Sequence, residues 1–240
     1  MLAEGWELLG LAIQDYHEGD LGAEINVISV PAGIERMPIS IFFRNFNQLS
    51  ELEHFALSLC KERVLDIGAG AGCHSLILQE QGFLVTGIDL SVNAVEVMKR
   101  RGLKSCFCSD IKDFEIEPVD TIIMMMNGIG LVENLAGLDY FLNDIKRLLR
   151  PGGQILLDSS DLMNLFEDEF KCRKGFMDQI DYYGEIRYEF EYKGIKSNPL
   201  CWLFVDPETL QDHAVKTGWY CQIIFEDEED HYLARLVRSF

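Results

Sequence analysis

The segment VLDIGAGAGCHSL, from Val64 to Leu76, joins a short apolar run to a helical pattern through three closely spaced glycines. The apolar run at 64–67 is typical of a buried strand, and residues 73–81 have helical spacing. Glycine lets the backbone turn sharply and approach a ligand closely. A strand, a glycine turn and a helix in this order predict a site that holds a nucleotide.

The alternation of strand and helix patterns continues to about residue 158. Short apolar runs predict further strands at 83–88, 106–108, 121–126 and 154–158. The run at 121–126 is apolar throughout, as expected for a strand that is covered on both faces. Strictly alternating strands and helices predict a doubly wound α/β fold, in which a mostly parallel sheet carries helices on both faces.

Beyond residue 160 the pattern changes. Residues 186–192 and 201–205 predict two more strands, and Asp206-Pro207 predicts the start of a helix. Residues 221–225 and 232–237 flank the acidic run EDEED as the arms of a hairpin.

We predict one domain over residues 1–240. Residues 1–60 form a mostly helical cap or lid segment, residues 61–160 form a cofactor-binding core, and residues 161–240 form a lid insertion with closing antiparallel strands.

The glycine spacing separates two kinds of nucleotide site. The dinucleotide fingerprint Gly-x-Gly-x-x-Gly would need a glycine at Cys73 or at Ser75, and neither position has one. The chain instead has an acid and three glycines at alternate positions, Asp66-x-Gly68-x-Gly70-x-Gly72.

With this spacing the segment resembles motif I of the class I S-adenosylmethionine-dependent methyltransferases. Four later segments resemble further motifs of that family in the same order: 87–91, 109–111, 120–128 and 148–153. Five motifs in order are more specific than one glycine turn. The resemblance implies a Rossmann-like seven-stranded sheet with an antiparallel C-terminal strand and a helical N-terminal addition, and S-adenosylmethionine as the cofactor.

Three acids receive roles from this resemblance. Asp89 would accept hydrogen bonds from the ribose hydroxyls, Asp110 would accept the adenine amino group, and Asp66 would lie under the methionine amino group. The alternatives are a helix cap for Asp89, an ordinary loop acid for Asp110 and a buried acid bonded to loop amides for Asp66. The full predicted cofactor set is Asp66, Gly68, Gly70, Gly72, Asp89, Leu90, Asp110, Ile111, Asn127 and Gly128.

The sequence favours a small-molecule methyl acceptor. A formal net charge of −19 argues against binding to nucleic acid or to an anionic membrane surface. In the family, enzymes that methylate exocyclic amines of nucleobases follow Asn or Asp with Pro-Pro-aromatic, and Asn127 lacks those partners. The cysteine nucleophile of the cytosine-carbon enzymes is also missing from the ends of the fourth and fifth strands.

Candidate acceptor-site residues come from the N-terminal segment, the strand exits and the segment beyond. Arg44, Asp158, Ser159 and Tyr183 are predicted to bind substrate. Arg44 could form a fork with a carboxylate or simply a surface salt bridge. Tyr182 and Tyr183 could hold a cationic amine or pack in a lid. The catalytic candidates are His74 and Tyr182; His74 could take a proton from the acceptor or have only a structural role.

Two other functions stay open at this point. The chain could be a binding module that keeps the cofactor without turnover, or a nicotinamide-dependent oxidoreductase. The seven cysteines form no Cys-x-x-Cys pair and the histidines lack metal-ligand spacing, so we expect reduced thiols and no metal site. With no basic signal pattern at the first residues and no long apolar span, we expect a cytoplasmic protein without membrane contact. We further expect a monomer or homodimer.

Overall fold

A computed structural model describes residues 4–29, 33–163 and 182–239 of the chain. The strands are β1 (Glu24–Ser29), β2 (Gly33–Pro38), β3 (Arg63–Ile67), β4 (Leu84–Asp89), β5 (Cys106–Cys108), β6 (Val119–Met124), β7 (Leu149–Ser160), β8 (Glu185–Tyr192), β9 (Ile195–Lys196), β10 (Leu200–Leu203), β11 (Trp219–Glu226) and β12 (His231–Arg238). The α-helices are α1 (Gly5–His17), α2 (Glu51–Ser58), α3 (Cys73–Glu80), α4 (Val92–Arg100), α5 (Leu135–Asp144) and α6 (Pro207–Lys216). Short 3₁₀ turns lie at Ile39–Phe43, Phe46–Gln48, Gly128–Val132 and Ile145–Leu148.

The main sheet has seven strands in the order β11-β12-β7-β6-β3-β4-β5. Strands β3 to β7 are mutually parallel, and β12 inserts antiparallel between β7 and β11. This arrangement confirms the predicted Rossmann-like, doubly wound fold with its antiparallel closing strand.

Alternate residues along the central strands divide the core between two faces. Leu65 of β3 packs with residues of α5 and α6 in one apolar cluster. Its neighbour Val64 packs with residues of α2 and α3 in another cluster. The same alternation decides which polar side chains meet at the carboxyl ends of these strands, because successive side chains point to opposite faces.

Local capping signals determine the helix starts as predicted. The Ser91 side chain accepts a hydrogen bond from the Ala94 N–H at the start of α4. Asp206 accepts from the Thr209 N–H, with Pro207 in the first turn of α6. Such caps satisfy backbone donors that have no partner within the helix.

A second, antiparallel sheet has the strand order β10-β8-β1-β2, and β9 pairs with β8. Its strands come from two distant parts of the chain, since Val27 of β1 pairs with Phe190 of β8. The prediction that residues 1–60 are mostly helical therefore missed two strands. A strand whose partner lies so far along the chain has no local pattern that reveals the pairing, because sheet preference depends on its tertiary neighbours.

Helix α1 lies between this second sheet and the main sheet. Its Leu8 and Ala12 pack with Ile25 and Phe190 of the second sheet on one side and with Val97 of α4 on the other. Helix α1 lies beside the residues that follow β3 and β4, since Ile13 approaches Gly70 and Gly10 approaches Ser91. The second sheet and α1 together are called the cover below.

Some expectations fall outside the part of the chain that the structure describes. Most of the segment predicted as a lid insertion, residues 164–181, lies outside it, as does Cys172. The cysteines within the described ranges are all free thiols. Among the described helices, none combines the length and the apolar composition needed to cross a bilayer.

Candidate active site

The glycine turn connects the end of β3 to the start of α3. Gly68, Gly70 and Gly72 all have positive φ angles, of 73°, 55° and 79°, a conformation that residues with a side chain rarely adopt. The Gly68 N–H donates to the Ile88 carbonyl at 2.9 Å, which ties the turn to the end of β4. The three glycines are therefore required by the backbone itself.

Asp89, the last residue of β4, lies directly beside this turn. Its Oδ2 accepts from the Gly70 N–H at 2.9 Å and its Oδ1 accepts from the Ser91 N–H at 2.9 Å. Burial raises the pKa of Asp89, although these two donors partly counteract the effect. Each carboxylate oxygen keeps a second acceptor position, so two hydroxyl groups of a ligand can still donate to it.

The residues after β5 lie next to Asp89. The Ser109 N–H donates to the Asp89 carbonyl at 3.1 Å. Asp110 is half-buried, and its Oδ1 accepts from the Lys112 N–H at 2.9 Å. Leu90 is exposed, whereas Ile111 is partly buried against the core. The structure thus brings the predicted ribose and adenine residues to one edge of the sheet.

Asp66 lies beneath the glycine turn, on the face of the sheet that carries α3. Its side chain is almost fully buried, and its Oδ2 accepts from the Ser75 hydroxyl at 2.7 Å. Burial raises the pKa of Asp66, against the smaller opposing effects of His74 and Ser75.

Glu53 of α2 is a buried acid that was not among the predicted site residues. Its Oε1 lies 2.8 Å from His74 Nε2, and Arg44 Nη1 and Nη2 donate to its two oxygens at 2.8 and 2.6 Å. Burial alone would raise the pKa of Glu53, but the hydrogen bonds from His74, from the Ser50 N–H and from Arg44 outweigh it and lower the pKa to about 2. Glu53 is therefore ionised at neutral pH.

A sequence signal for Glu53 was available. Ser50 and Glu53 form a capping box: the Ser50 hydroxyl accepts from the Glu53 N–H, and Glu53 accepts from the Ser50 N–H. The Ser-x-x-Glu spacing is a known helix-start pattern. That pattern predicts the helix, but not that the same carboxylate reaches His74 of another helix.

Arg44 is partly buried, and its guanidinium group is hydrogen-bonded within the protein. Besides the fork to Glu53, its Nε donates to the Ile41 carbonyl at 2.9 Å. The Cys73 thiol donates to the Arg44 carbonyl at 3.2 Å. The carboxylate that Arg44 meets in this structure is therefore an internal one.

The exit of β6 has an unusual backbone. Met126 and Asn127 have positive φ angles of 64° and 55° without being glycine. Asp158 accepts from both of their N–H groups, at 3.1 and 2.9 Å, and the Ser160 hydroxyl donates to the Asn127 side-chain oxygen at 2.9 Å. Left-handed non-glycine residues persist only where their surroundings hold them, and they are found at functional sites.

The Asp158 carboxyl group is a second strongly shifted acid in this region. Burial raises its pKa to about 6, although the Asn127 N–H and His74 act in the opposite direction. It lies on the same face of the sheet as Asp66, together with Glu53 and His74.

Two predicted substrate-binding residues, Ser159 and Tyr183, and the catalytic candidate Tyr182 lie elsewhere. Ser159 is fully buried on the opposite face of β7, where its hydroxyl accepts from the Val205 N–H at 3.0 Å. The Tyr182 hydroxyl donates to Asp206 at 2.6 Å, at the start of α6. The Tyr183 hydroxyl donates to Asp161 at 2.7 Å. The structure groups Asp158 with His74, whereas Ser159 and Tyr182 belong to the α6 side.

The donor and acceptor groups of this edge suit an adenosyl ligand. The turn offers close backbone approach, the carboxylate beside it can accept from a hydroxyl pair, and further acids line the neighbouring strand ends. Ligands of open α/β sheets bind at the carboxyl ends of the strands, where the strand order reverses. Here the strand order reverses between β3, which carries Asp66, and β6, which Asn127 follows.

Comparisons with known proteins agree with this geometry. A family profile described as a methyltransferase domain matches residues 65–157. The chain is 37% identical to a SAM-dependent methyltransferase from Bacteroides fragilis, whose crystal structure is a complex with S-adenosyl-L-homocysteine. That alignment covers 100% of this chain and 98% of the other, with a TM-score of 0.88.

Curated relatives match the core only. A demethylmenaquinone methyltransferase of Tropheryma whipplei strain Twist is 28% identical over 116 residues, 43% of this chain and 47% of that protein. A ubiquinone biosynthesis O-methyltransferase of Xylella fastidiosa strain M23 is 32% identical over 111 residues, 43% and 44% of the two chains. The match spans about half the length of these curated relatives.

Proposed function

This chain belongs to the class I S-adenosylmethionine-dependent methyltransferases, and we propose that it transfers a methyl group from S-adenosylmethionine to a small molecule. The single observation that carries the proposal is the hydrogen bond between the Asp89 carboxylate and the Gly70 N–H. This bond joins the glycine turn to the acid that we assign to the ribose, and it supports the proposal because both would then contact the same cofactor. The B. fragilis relative, similar over its whole length, supports the same cofactor.

The bound cofactor would supply a methyl group on a positively charged sulfur, which needs little activation. The chain then has to hold the two reactants in line and to exclude water, and such positioning can lower a barrier by about 7–11 kcal/mol. The glycine turn, Asp89 and Asp110 would hold the adenosyl part, with Asp66 near the amino acid part. Asn127 and Asp158, at the ends of β6 and β7, would face the acceptor.

Cofactor binding is tested with S-adenosylhomocysteine by titration calorimetry. We expect D89A to weaken binding about 10–100-fold, as for the loss of a charged hydrogen-bond pair worth about 1.5–3 kcal/mol. The matched control is D113N, which changes an exposed acid in the loop after β5. Unchanged affinity in D89A would show that the ribose assignment is wrong, and preferential binding of NADH would favour the oxidoreductase alternative.

Turnover is tested with S-adenosylmethionine that carries a labelled methyl group. The wild-type protein is incubated with a fractionated metabolite extract and with a panel that includes hydroxylated aromatic compounds, because two curated relatives carry names from quinone biosynthesis. We expect label in a small-molecule product and formation of S-adenosylhomocysteine. Tight cofactor binding without any labelled product would favour the binding-module alternative.

A further inference from the structure

We propose that Glu53 is a positioning residue, which holds His74 so that its free ring nitrogen, Nδ1, takes a proton from the methyl acceptor. The inference rests on the proposed function and narrows its substrate class. A base is needed only if the attacking atom carries a proton that it must lose. The acceptor would then be a hydroxyl compound or an amine whose attacking oxygen or nitrogen carries a proton.

The hydrogen bonds around Glu53 determine which nitrogen of His74 carries hydrogen. Both Glu53 oxygens receive hydrogen bonds from Arg44, and Oε2 also accepts from the Ser50 N–H. A carboxylate in this setting acts only as an acceptor, so His74 Nε2 must donate to it. In a neutral imidazole the other nitrogen is then the acceptor. Within the described residues, Nδ1 has no hydrogen-bond partner.

The other titratable groups near His74 are already engaged. Arg44 and Glu53 face it from the N-terminal segment, and Cys73 precedes it on α3. Burial raises the pKa of the Cys73 thiol to about 11, and this thiol donates to a carbonyl. Asp66 of β3 accepts from Ser75, and Asp158 of β7 accepts from two backbone N–H groups. His74 Nδ1 has no hydrogen-bond partner among the described residues, so it can take a proton without losing an existing bond.

The proton and the electrons balance in this step. The acceptor oxygen or nitrogen forms a bond to the methyl carbon, and the electron pair of the broken S–CH₃ bond goes to sulfur. The proton of the attacking atom passes to Nδ1 of His74. The imidazolium that results is stabilised by the adjacent Glu53 carboxylate, as an acid partner stabilises the histidine of other general-base pairs. Solvent then takes up the proton.

One test needs no acceptor. The wild-type protein with ¹⁵N-labelled histidine and saturating S-adenosylhomocysteine is studied by two-bond ¹H–¹⁵N correlation NMR at neutral pH, and the His74 signals are assigned by their loss in H74Q. We expect a protonated Nε2, a slowly exchanging Nε2–H signal that E53Q shifts or removes, and an unprotonated Nδ1. A protonated Nδ1, in either the other tautomer or the imidazolium, would overturn the proposal.

The second test follows the labelled product from the extract described above as a function of pH. H74Q leaves the Arg44–Glu53 pair in place, and we expect a rate at least about 100-fold lower, the usual contribution of a general base. In the wild type we expect the rate to fall on the acid side of the pH profile, and in H74Q this fall should be absent. E53Q should lower kcat and alter the same limb of the profile, while the affinity for S-adenosylhomocysteine stays the same.

A matched control is H213Q. His213 of α6 also contacts a carboxylate, with Nδ1 2.6 Å from Asp139 Oδ1, but on the α5 side of the main sheet. We expect it to keep the wild-type rate and pH profile. The proposal would be overturned if H74Q kept the wild-type rate. It would also be overturned if E53Q and H74Q lost affinity for S-adenosylhomocysteine by as large a factor as they lost rate. A wild-type protein that binds no S-adenosylhomocysteine would instead contradict the proposed function, and the NMR result would still decide the state of His74.

Discussion

At the scale of single residues, two acids at the edge of the main sheet share one arrangement. Asp89 accepts backbone N–H groups from the glycine turn and from the start of α4. Asp158 accepts them from two successive residues after β6. Asp89 therefore connects the segments after β3 and β4, whereas Asp158 connects β7 to the segment after β6, and each does so at the cost of burying a charge. An acid that would bind ligand in this site also holds the loops around it.

The raised pKa of Asp158 gives a stability prediction with a definite sign. Its folded-state pKa of about 6 lies above the ordinary value of 3.8, so the folded chain takes up this proton at a higher pH than the unfolded chain. Its contribution to stability is fully present below about pH 4 and is lost as the pH rises through about 6. D158N carries no such proton. We expect the free energy of unfolding of wild type, relative to D158N, to fall between pH 4 and pH 7 and then to level off.

This difference is measured by urea unfolding at several pH values. The control is D113N, an exposed acid, whose difference from wild type should stay constant over the same interval. A wild-type–D158N difference that does not change with pH would mean that the pKa of Asp158 is not raised in the folded protein.

At the scale of helices and strands, local patterns predicted the main sheet and the helix starts. The adjacency of Asp89 and the glycine turn was also predictable, because the carboxyl ends of neighbouring parallel strands meet at one edge. Glu53 was not, because its meeting with His74 depends on how α2 packs against α3. Strands β1 and β2 were not predicted either, because their sheet exists only once β8 is in place. The features that could not be predicted are therefore contacts between separate elements, which local sequence patterns do not specify.

The contact between the second sheet and the exit of β6 depends on Gly130. A Cβ atom added at Gly130 would overlap the indole ring of Trp202 in β10. We expect G130A to destabilise the protein by about 1–3 kcal/mol, the usual cost of overpacking, as measured by urea unfolding.

Two further variants complete this experiment. W202L in the G130A background should recover part of the loss, because the smaller side chain makes room for the new methyl group. G22A is the control, since a Cβ at Gly22 meets nothing within 4 Å. If G130A is as stable as G22A, the two elements do not pack as described.

At the scale of the whole molecule, β2 is the edge strand of the second sheet among the described strands, and its residues are almost all exposed. Opposite residues of an antiparallel pair share a face, so two copies of β2 related by a twofold axis can pair only in registers that match faces. In the two longest such registers, the residue on the twofold axis faces the same residue of the other copy. That residue is Glu35 in one register and Arg36 in the other. Like charges directly opposite destabilise a strand pair, and charged edges protect sheets from association.

Removal of these charges should promote association. We expect the double variant E35T/R36T to dimerise more tightly than wild type by about 1 kcal/mol, roughly fivefold, as measured by sedimentation velocity. The control K61T/E62T removes the same two charge types from a segment outside any strand. Equal association of the two double variants would show that the charges on β2 do not guard this edge.

The pairing of β1 with β8 also has a consequence in time. Because the two strands are separated by most of the chain, closing the loop between them is slow compared with forming the parallel strands, which are nearer neighbours in sequence. We expect the main sheet to assemble first and the cover to dock onto it afterwards. A newly made molecule would then place the cover beside the glycine turn only at the last stage of its maturation.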